Sequence, residues 1–127
     1  MNIKFIAWDI EDSIMLKGSS VVIGSNDDAY FLDGDGEWKD CGDRVKLMLY
    51  SGITDKNKEE IYTDFIVKRT SMAPGGIDFV GLVTFAEGRF WIDNGQQAVP
   101  LFSEADELDI LGHRYEESEK VEKWLGL

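Results

Sequence analysis

A mainly β fold is predicted by three features of this sequence. Its apolar runs are short, they are rich in β-branched and aromatic residues, and nearly every one is closed by Gly, Asn, Asp or Ser. The expected architecture is all-β or β-rich α+β, with short meandering strands forming a small barrel- or sandwich-like core. A short helix near 103–107 and a short C-terminal helix complete it.

Taken in order, Ile3–Trp8 is strand-like and ends at Asp9 and a charged turn. Ile14–Leu16, Val21–Ile23 and Tyr30–Leu32 follow, separated by turns at Lys17–Ser20 and Gly24–Asp27. Asp33-Gly34-Asp35-Gly36 between Leu32 and Glu37 is a hairpin signal, because the favoured tight turns need positive φ. Val45–Tyr50 leans to strand. Ile66–Lys68 is a short strand, and Thr70–Gly76 reads as an exposed, mobile loop. Phe79–Phe85 is the strongest strand of the sequence. Glu87-Gly88 turns the chain into Arg89–Ile92, and Asp93-Asn94-Gly95 turns it again towards Ala98-Val99. Such a meander commonly closes or curls to hide its edges. Ser103 with Asp106 has the form of a capping box, which predicts the helix near 103–107. Ile110–Gly112 is a final strand. From Ser118 to Leu125, Val121, Trp124 and Leu125 share one helical face, with Glu119 and Lys123 at i,i+4.

A chain of 127 residues is expected to form one domain over 1–127, with an N-terminal β subregion (1–50) and a C-terminal barrel-like subregion (51–127). The net charge of −12 disfavours direct nucleic-acid binding, which needs clustered Lys and Arg. The carboxylates concentrate at the two ends, while residues 44–69 are mildly basic but diluted by acidic side chains. One cysteine, Cys41, cannot form an internal disulfide, and one histidine, His113, removes most zinc chemistry. No signal peptide or membrane-spanning run is visible, so the expected compartment is the cytoplasm, with no membrane partner.

The chemical motifs mostly fail. Asp33, Asp35 and Glu37 alternate like calcium ligands, but Trp38 stands where an EF-hand needs Gly and Arg44 where it needs a bidentate Glu. There is no nucleophile elbow, Walker A motif or zincin motif. His113 could act as a base oriented by Asp109 or Glu116, against a favoured structural role. Asp9/Glu11 and Glu116/Glu117 are carboxylate pairs of the kind that bind Mg²⁺, with nothing to bring them together. Cys41, flanked by Asp40 and Asp43, reads as inert. No catalytic residue, cofactor or metal site is assigned. Of the four tryptophans, Trp8 and Trp91 are expected in the core, and Trp38 and Trp124 are the interface candidates.

Four blocks in order carry a resemblance. Lys4–Asp9 (KFIAWD) is followed by Leu47–Asn57 (LMLYSGITDKN), by Ile61-Tyr62 leading to Ile66-Val67, and by Ile110–Gly112 with Tyr115-Glu116. Together they resemble the YopX family, small proteins found mainly in phages and prophages of Gram-positive bacteria. The family's Gly-Asp before Ile-Val is Asp64-Phe65 here, and its Asn and Pro near the end are His113 and Ser118, which could serve as a helix N-cap. The matching signature positions are Trp8, Asp9, Tyr50, Gly52, Asp55, Tyr62, Gly112 and Tyr115. The resemblance implies a mainly β fold, a phage or prophage origin and a bacterial cytoplasmic setting, and it implies no activity. The functional expectation is therefore a non-enzymatic protein-binding or assembly module, a candidate homo-oligomer whose protein partner the sequence does not name. An acidic decoy of a nucleic-acid-binding protein is the alternative, followed by a metal-dependent enzyme on a phosphorylated substrate.

Overall fold

Antiparallel pairing of short strands organises the protein in a computed structural model, which describes residues 4–17, 21–23, 29–32, 37–40, 45–72, 74–102 and 106–125. The chain divides into two compact units, Met1–Leu49 and Tyr50–Leu127.

In the first unit, β1 (Phe5–Asp9) pairs with β2 (Ile14–Lys17) and with the leading half of β6 (Val45–Thr54). Ile6, Ala7, Trp8 and Asp9 are all buried, so β1 is covered on both faces rather than alternating. Ala7 and Val45 pack with Phe5, Leu16 and Leu47. The strands β3 (Val21–Ile23), β4 (Ala29–Leu32) and β5 (Trp38–Asp40) form a separate antiparallel meander. Leu32 pairs with Trp38, so the two strands flanking the expected hairpin do pair, while residues 33–36 themselves lie outside the described residues. So does Cys41.

The second unit begins with the trailing half of β6 paired to β7 (Glu60–Tyr62). A five-stranded antiparallel sheet then runs in the order β11 (Ala98–Pro100), β10 (Arg89–Asp93), β9 (Phe79–Ala86), β8 (Phe65–Thr70), β12 (Glu107–His113). Glu87 (φ 53°) and Gly88 (φ 79°) join β9 to β10 in a two-residue turn closed by Arg89 against Ala86. Both turn residues therefore have the positive φ of a type I′ hairpin. Gly81 is needed for a different reason: a Cβ there would lie 2.7 Å from the Asp93 carbonyl oxygen and 2.9 Å from Ile92 Cγ2. The bare backbone lets β10 close over β9.

The two faces of this sheet are finished differently. On one, Val67, Val83 and Ile92 pack with Ile61, Leu101 and Leu108 in the main core. On the other, Ile66, Leu82 and Val80 are covered by Val121 of α1 (Ser118–Leu125). Alternation along β8 and β9 sends successive side chains to these two layers.

Two local expectations are corrected. Residues 103–105 lie outside the described residues, but Asp106 is irregular and Glu107 already opens β12, so no helix extends through 106–107. Instead the Asp106 carboxylate binds Arg69 Nε at 3.2 Å and accepts the Met72 N–H at 3.4 Å. At α1, Val121 N–H donates to the Glu117 carbonyl, so Glu117 holds the N-cap position and Ser118 is the first helical residue.

Candidate functional site

The signature positions are used first to close the fold. The Asp9 carboxylate accepts the N–H groups of Glu11 (3.0 Å) and Asp12 (3.3 Å), so a buried charge ends β1 and shapes the turn after it. Trp8 is buried beside it in sequence. Gly52 takes φ +82° where the β6–β7 register shifts between Tyr50 and Thr54. Ser51 Oγ donates to the Ile61 carbonyl at 2.7 Å across that irregularity.

Asp55 is the polar centre of the β6–β7 connection. Its Oδ1 accepts from Asn57 N–H (2.8 Å) and Glu59 N–H (2.9 Å), and its Oδ2 accepts from Ile110 N–H on β12 (3.4 Å). Lys56 N–H donates to the Leu108 carbonyl, and Lys56 Nζ lies 3.6 Å from Asp109. One buried carboxylate thus forms the loop and fastens it along β12. Gly112 follows a bulge: Ile110 pairs with Val67 and Gly112 with Ile66, leaving Leu111 as the extra residue.

A run of rings joins Tyr50, Tyr62, Phe65, His113 and Tyr115, with consecutive centroids 5.4–6.4 Å apart. Asp64 sits at its side in the β7–β8 turn with φ 67°, a conformation Asp tolerates better than most residues. The family has Gly there, which the backbone explains. Asp64 Oδ1 lies 3.7 Å from Arg114 Nη1, and Tyr115 Oη donates to Oδ2 at 3.4 Å. Burial raises the Asp64 carboxyl above its ordinary value, against the opposing pull of Arg114 and its hydrogen bonds. Burial, reinforced by the Asp64 charge, pushes the Tyr115 hydroxyl up to about 12.

His113 is buried in this cluster. Its Nδ1 accepts the Tyr115 N–H at 3.2 Å, which assigns the neutral tautomer as Nε2–H, and Nε2 lies 3.0 Å from Glu116 Oε1. The partner is Glu116 rather than Asp109, which pairs with Lys56. Nδ1 is thus taken up by the backbone, and Nε2 lies buried beside the Glu116 carboxylate.

An open feature of the second unit lies at the β9–β10 turn. A groove of about 540 Å³ is lined by Ile53, Gly88, Arg89, Phe90, Pro100 and Phe102. Ile53 and Phe90 also pack on the main core, so the groove is the mouth of that core, a common position for binding sites in barrel-like folds. Phe85 packs against Phe90 with tilted rings whose centroids are 4.8 Å apart and is 53% exposed, and Phe102 is 64% exposed. Arg89 lies on the rim with its guanidinium 5.5 Å from the Trp91 ring centroid, and Trp91 Nε1 donates to the Ala86 carbonyl.

The interface candidates in the sequence are two tryptophans. Trp38 lies in β5 and Trp124 in α1, and the side chains of both lie outside the described residues. The exposed rings of the groove are phenylalanines. A local signal was present: Phe85 and Phe90 flank the two-residue turn symmetrically, which makes them cross-strand neighbours at the free end of the hairpin.

Among the described residues, no three of His, Cys, Asp and Glu converge as a metal cluster. Asp9/Glu11 is a turn bond, and Glu116 faces His113. Among the described residues, no helix is long and apolar enough to cross a membrane.

Residues 4–122 match the family model described as YopX protein. The chain is similar to the crystal structure of YopX from Bacillus subtilis, with a TM-score of 0.66 and 23% identity over 94% of this chain and 98% of that one. It is similar also to protein EF1440 from Enterococcus faecalis, with a TM-score of 0.65 and 19% identity over 95% and 99%. No curated protein matches it.

Proposed function

The chain belongs to the YopX family, and we propose that it is a non-enzymatic protein-binding or assembly module that acts in a bacterial host cell through the apolar mouth of its second unit. The observation that carries this reading is the clustering of exposed Phe85 and Phe102 with Phe90, Pro100 and Ile53 around one groove. Exposed apolar surface gathered in one place, rimmed by polar residues, is a usual mark of a protein contact. Ionisable groups offer little support for catalysis: Asp55, Asp64, Asp106 and His113 are all engaged with the protein itself.

The acidic decoy reading needs carboxylates free to mimic a phosphate backbone, and several of the described ones are instead turned inward to N–H groups or basic side chains. Capture from host lysate on immobilised wild type and on Phe102→Asp separates the readings. A partner retained at high salt by wild type and lost by Phe102→Asp is the expected result. Identical capture by both baits, or basic proteins released by salt from both, would overturn the groove in favour of a charge-driven contact. Melting shifts induced by Mg²⁺ or Mn²⁺ would point to the enzyme reading.

A further inference from the structure

We infer that the β10–β11 turn is a self-modifying site: Asn94 closes on the Gly95 nitrogen, loses ammonia, and is converted by water to aspartate and isoaspartate. Asp93 serves as the base and the N–H groups of Gln96 and Gln97 hold the reacting oxygen.

Asn94-Gly95 is the single Asn-Gly pair of the sequence. The turn it forms is closed by Asn94 N–H on the Gln97 carbonyl at 3.1 Å. Gly95 has φ 88° and no side chain to hinder approach to its nitrogen. Asn94 Cγ and Gly95 N belong to adjacent residues, so a bond between them closes a five-membered ring and no second molecule has to be positioned. Gly95 N–H donates to Asp93 Oδ1 at 2.7 Å, within the reach of a general base. Asn94 Oδ1 accepts from Gln96 N–H at 2.9 Å and from Gln97 N–H at 2.8 Å. Two fixed donors at these distances polarise the amide carbonyl and stand ready for the charge that builds on its oxygen. Gly95, Gln96 and Gln97 are exposed, so water reaches the turn.

As the bond from Gly95 N to Asn94 Cγ forms, the nitrogen becomes acidic and its proton passes to the Asp93 carboxylate. Negative charge moves onto Asn94 Oδ1. The Cγ–Nδ2 bond then breaks, Asp93 returns the proton to Nδ2, and ammonia leaves a cyclic imide. Nothing is oxidised or reduced. Water opens the imide on either side of the nitrogen. Breaking the bond to Cγ gives aspartate; breaking the bond to the main-chain carbonyl carbon gives isoaspartate, with Cβ now part of the backbone.

Both products place a second negative charge beside Asp93, and isoaspartate lengthens the chain where it enters β11. That strand is held by few bonds. Asp93 pairs with Ala98 at the start of its ladder, Leu101 N–H donates to the Phe90 carbonyl, and Arg69 Nη1 holds the Pro100 carbonyl at 3.0 Å. Pro100 lines the groove, so the conversion acts on the strand that forms part of its wall.

Asn57 is an internal reference: Lys58 follows it, and its side-chain oxygen accepts no N–H among the described residues. Freshly purified protein is incubated at neutral pH, folded or unfolded in urea, and each asparagine is followed by peptide mapping with fragmentation and isoaspartate detection. Asn94 is expected to convert roughly fivefold or more faster in the folded protein than in the unfolded chain, a small part of what a general base can supply. Asn57 is expected to gain nothing from folding. Asp93→Asn keeps an oxygen for the Gly95 N–H but is no base, and should bring Asn94 back to the unfolded rate; circular dichroism and thermal melting check that it folds. Conversion of Asn94 no faster in the folded protein than in urea overturns the inference, because the bonds from Gln96 and Gln97 would then only hold the turn. An Asp93→Asn protein that converts at the wild-type rate overturns it as well. The folded and unfolded comparison needs no variant and decides the matter even if Asp93→Asn does not fold.

Discussion

The covered face of the β8–β9 pair and the mouth of the core on its other side are built from similar material and finished in opposite ways. On the covered face, Ile66, Leu82 and Val80 receive Val121 from α1, and Ile66, Leu82 and Val121 are each at most 4% exposed. At the mouth, Phe90 and Ile53 rest on the core, but Phe85 and Phe102 project beyond it with no comparable lid among the described residues. The chain therefore supplies its own cover for one apolar surface and leaves the other open. Three signature residues, Asp55, Gly112 and Tyr115, instead secure β12 and the segment that leads from it to α1.

If closure is set by backbone approach, Gly81→Ala should cost most. Its new Cβ meets the backbone of Asp93, which cannot swing aside as a side chain would, and a loss of about 3 kcal/mol in urea unfolding is expected. A near-neutral result would show that β10 does not close tightly over β9. Next comes Asp55→Ala, which strands the N–H groups of Asn57, Glu59 and Ile110; about 2–3 kcal/mol is expected, with part recovered by Asp55→Asn. Val121→Ala should cost about 2 kcal/mol by opening a void over Ile66 and Leu82. Equal stability of this variant and wild type would erase the distinction between the two surfaces.

A smaller effect is expected from alkali. The folded Tyr115 hydroxyl titrates at about 12, above its ordinary value near 10, so the folded state binds this proton more tightly than the unfolded chain. Its contribution is fully present below pH 10 and is lost as the pH rises towards 12. Tyr115→Phe should flatten that part of the stability–pH curve, read from melting temperatures between pH 9 and 12. The smallest change belongs to the mouth. Phe102→Asp should leave unfolding stability within about 0.5 kcal/mol of wild type, because the ring it removes is mostly solvent-exposed. A large loss would mean that Phe102 is part of the core.

The legible parts of the sequence were those whose signals are local. Glu87-Gly88 between two β-rich runs specifies β9 and β10 because a two-residue turn fixes the register by itself. The apolar spacing of Val121, Trp124 and Leu125 specifies α1 with the same bounds, Ser118–Leu125. By contrast, only Ile110–Gly112 read as a strand, whereas β12 begins at Glu107 and runs to His113. The bulge at Leu111 breaks its two-residue period, so alternation over Leu108 and Asp109 does not continue in phase. The strand β7 passed unread for a related reason: it is only three residues long, Gly52 and the Asp55-centred connection separate it from β6, and that connection is fastened by β12, far along the chain. For the candidate site, the sequence displayed Phe85 and Phe90 but not their exposure, which depends on where the core stops.

The short β11 edge has a consequence for how such a protein survives with an apolar opening. Exposed aromatics beside a long free strand would invite cross-β stacking, in which each chain templates the next without limit. Here Pro100 withholds a donor, Arg69 occupies its carbonyl, and Ala98 is the single residue of β11 that presents both backbone groups outward. Stickiness is confined to side chains, which saturate once a guest is seated, and the sheet beside them offers no ladder on which fibrils could grow.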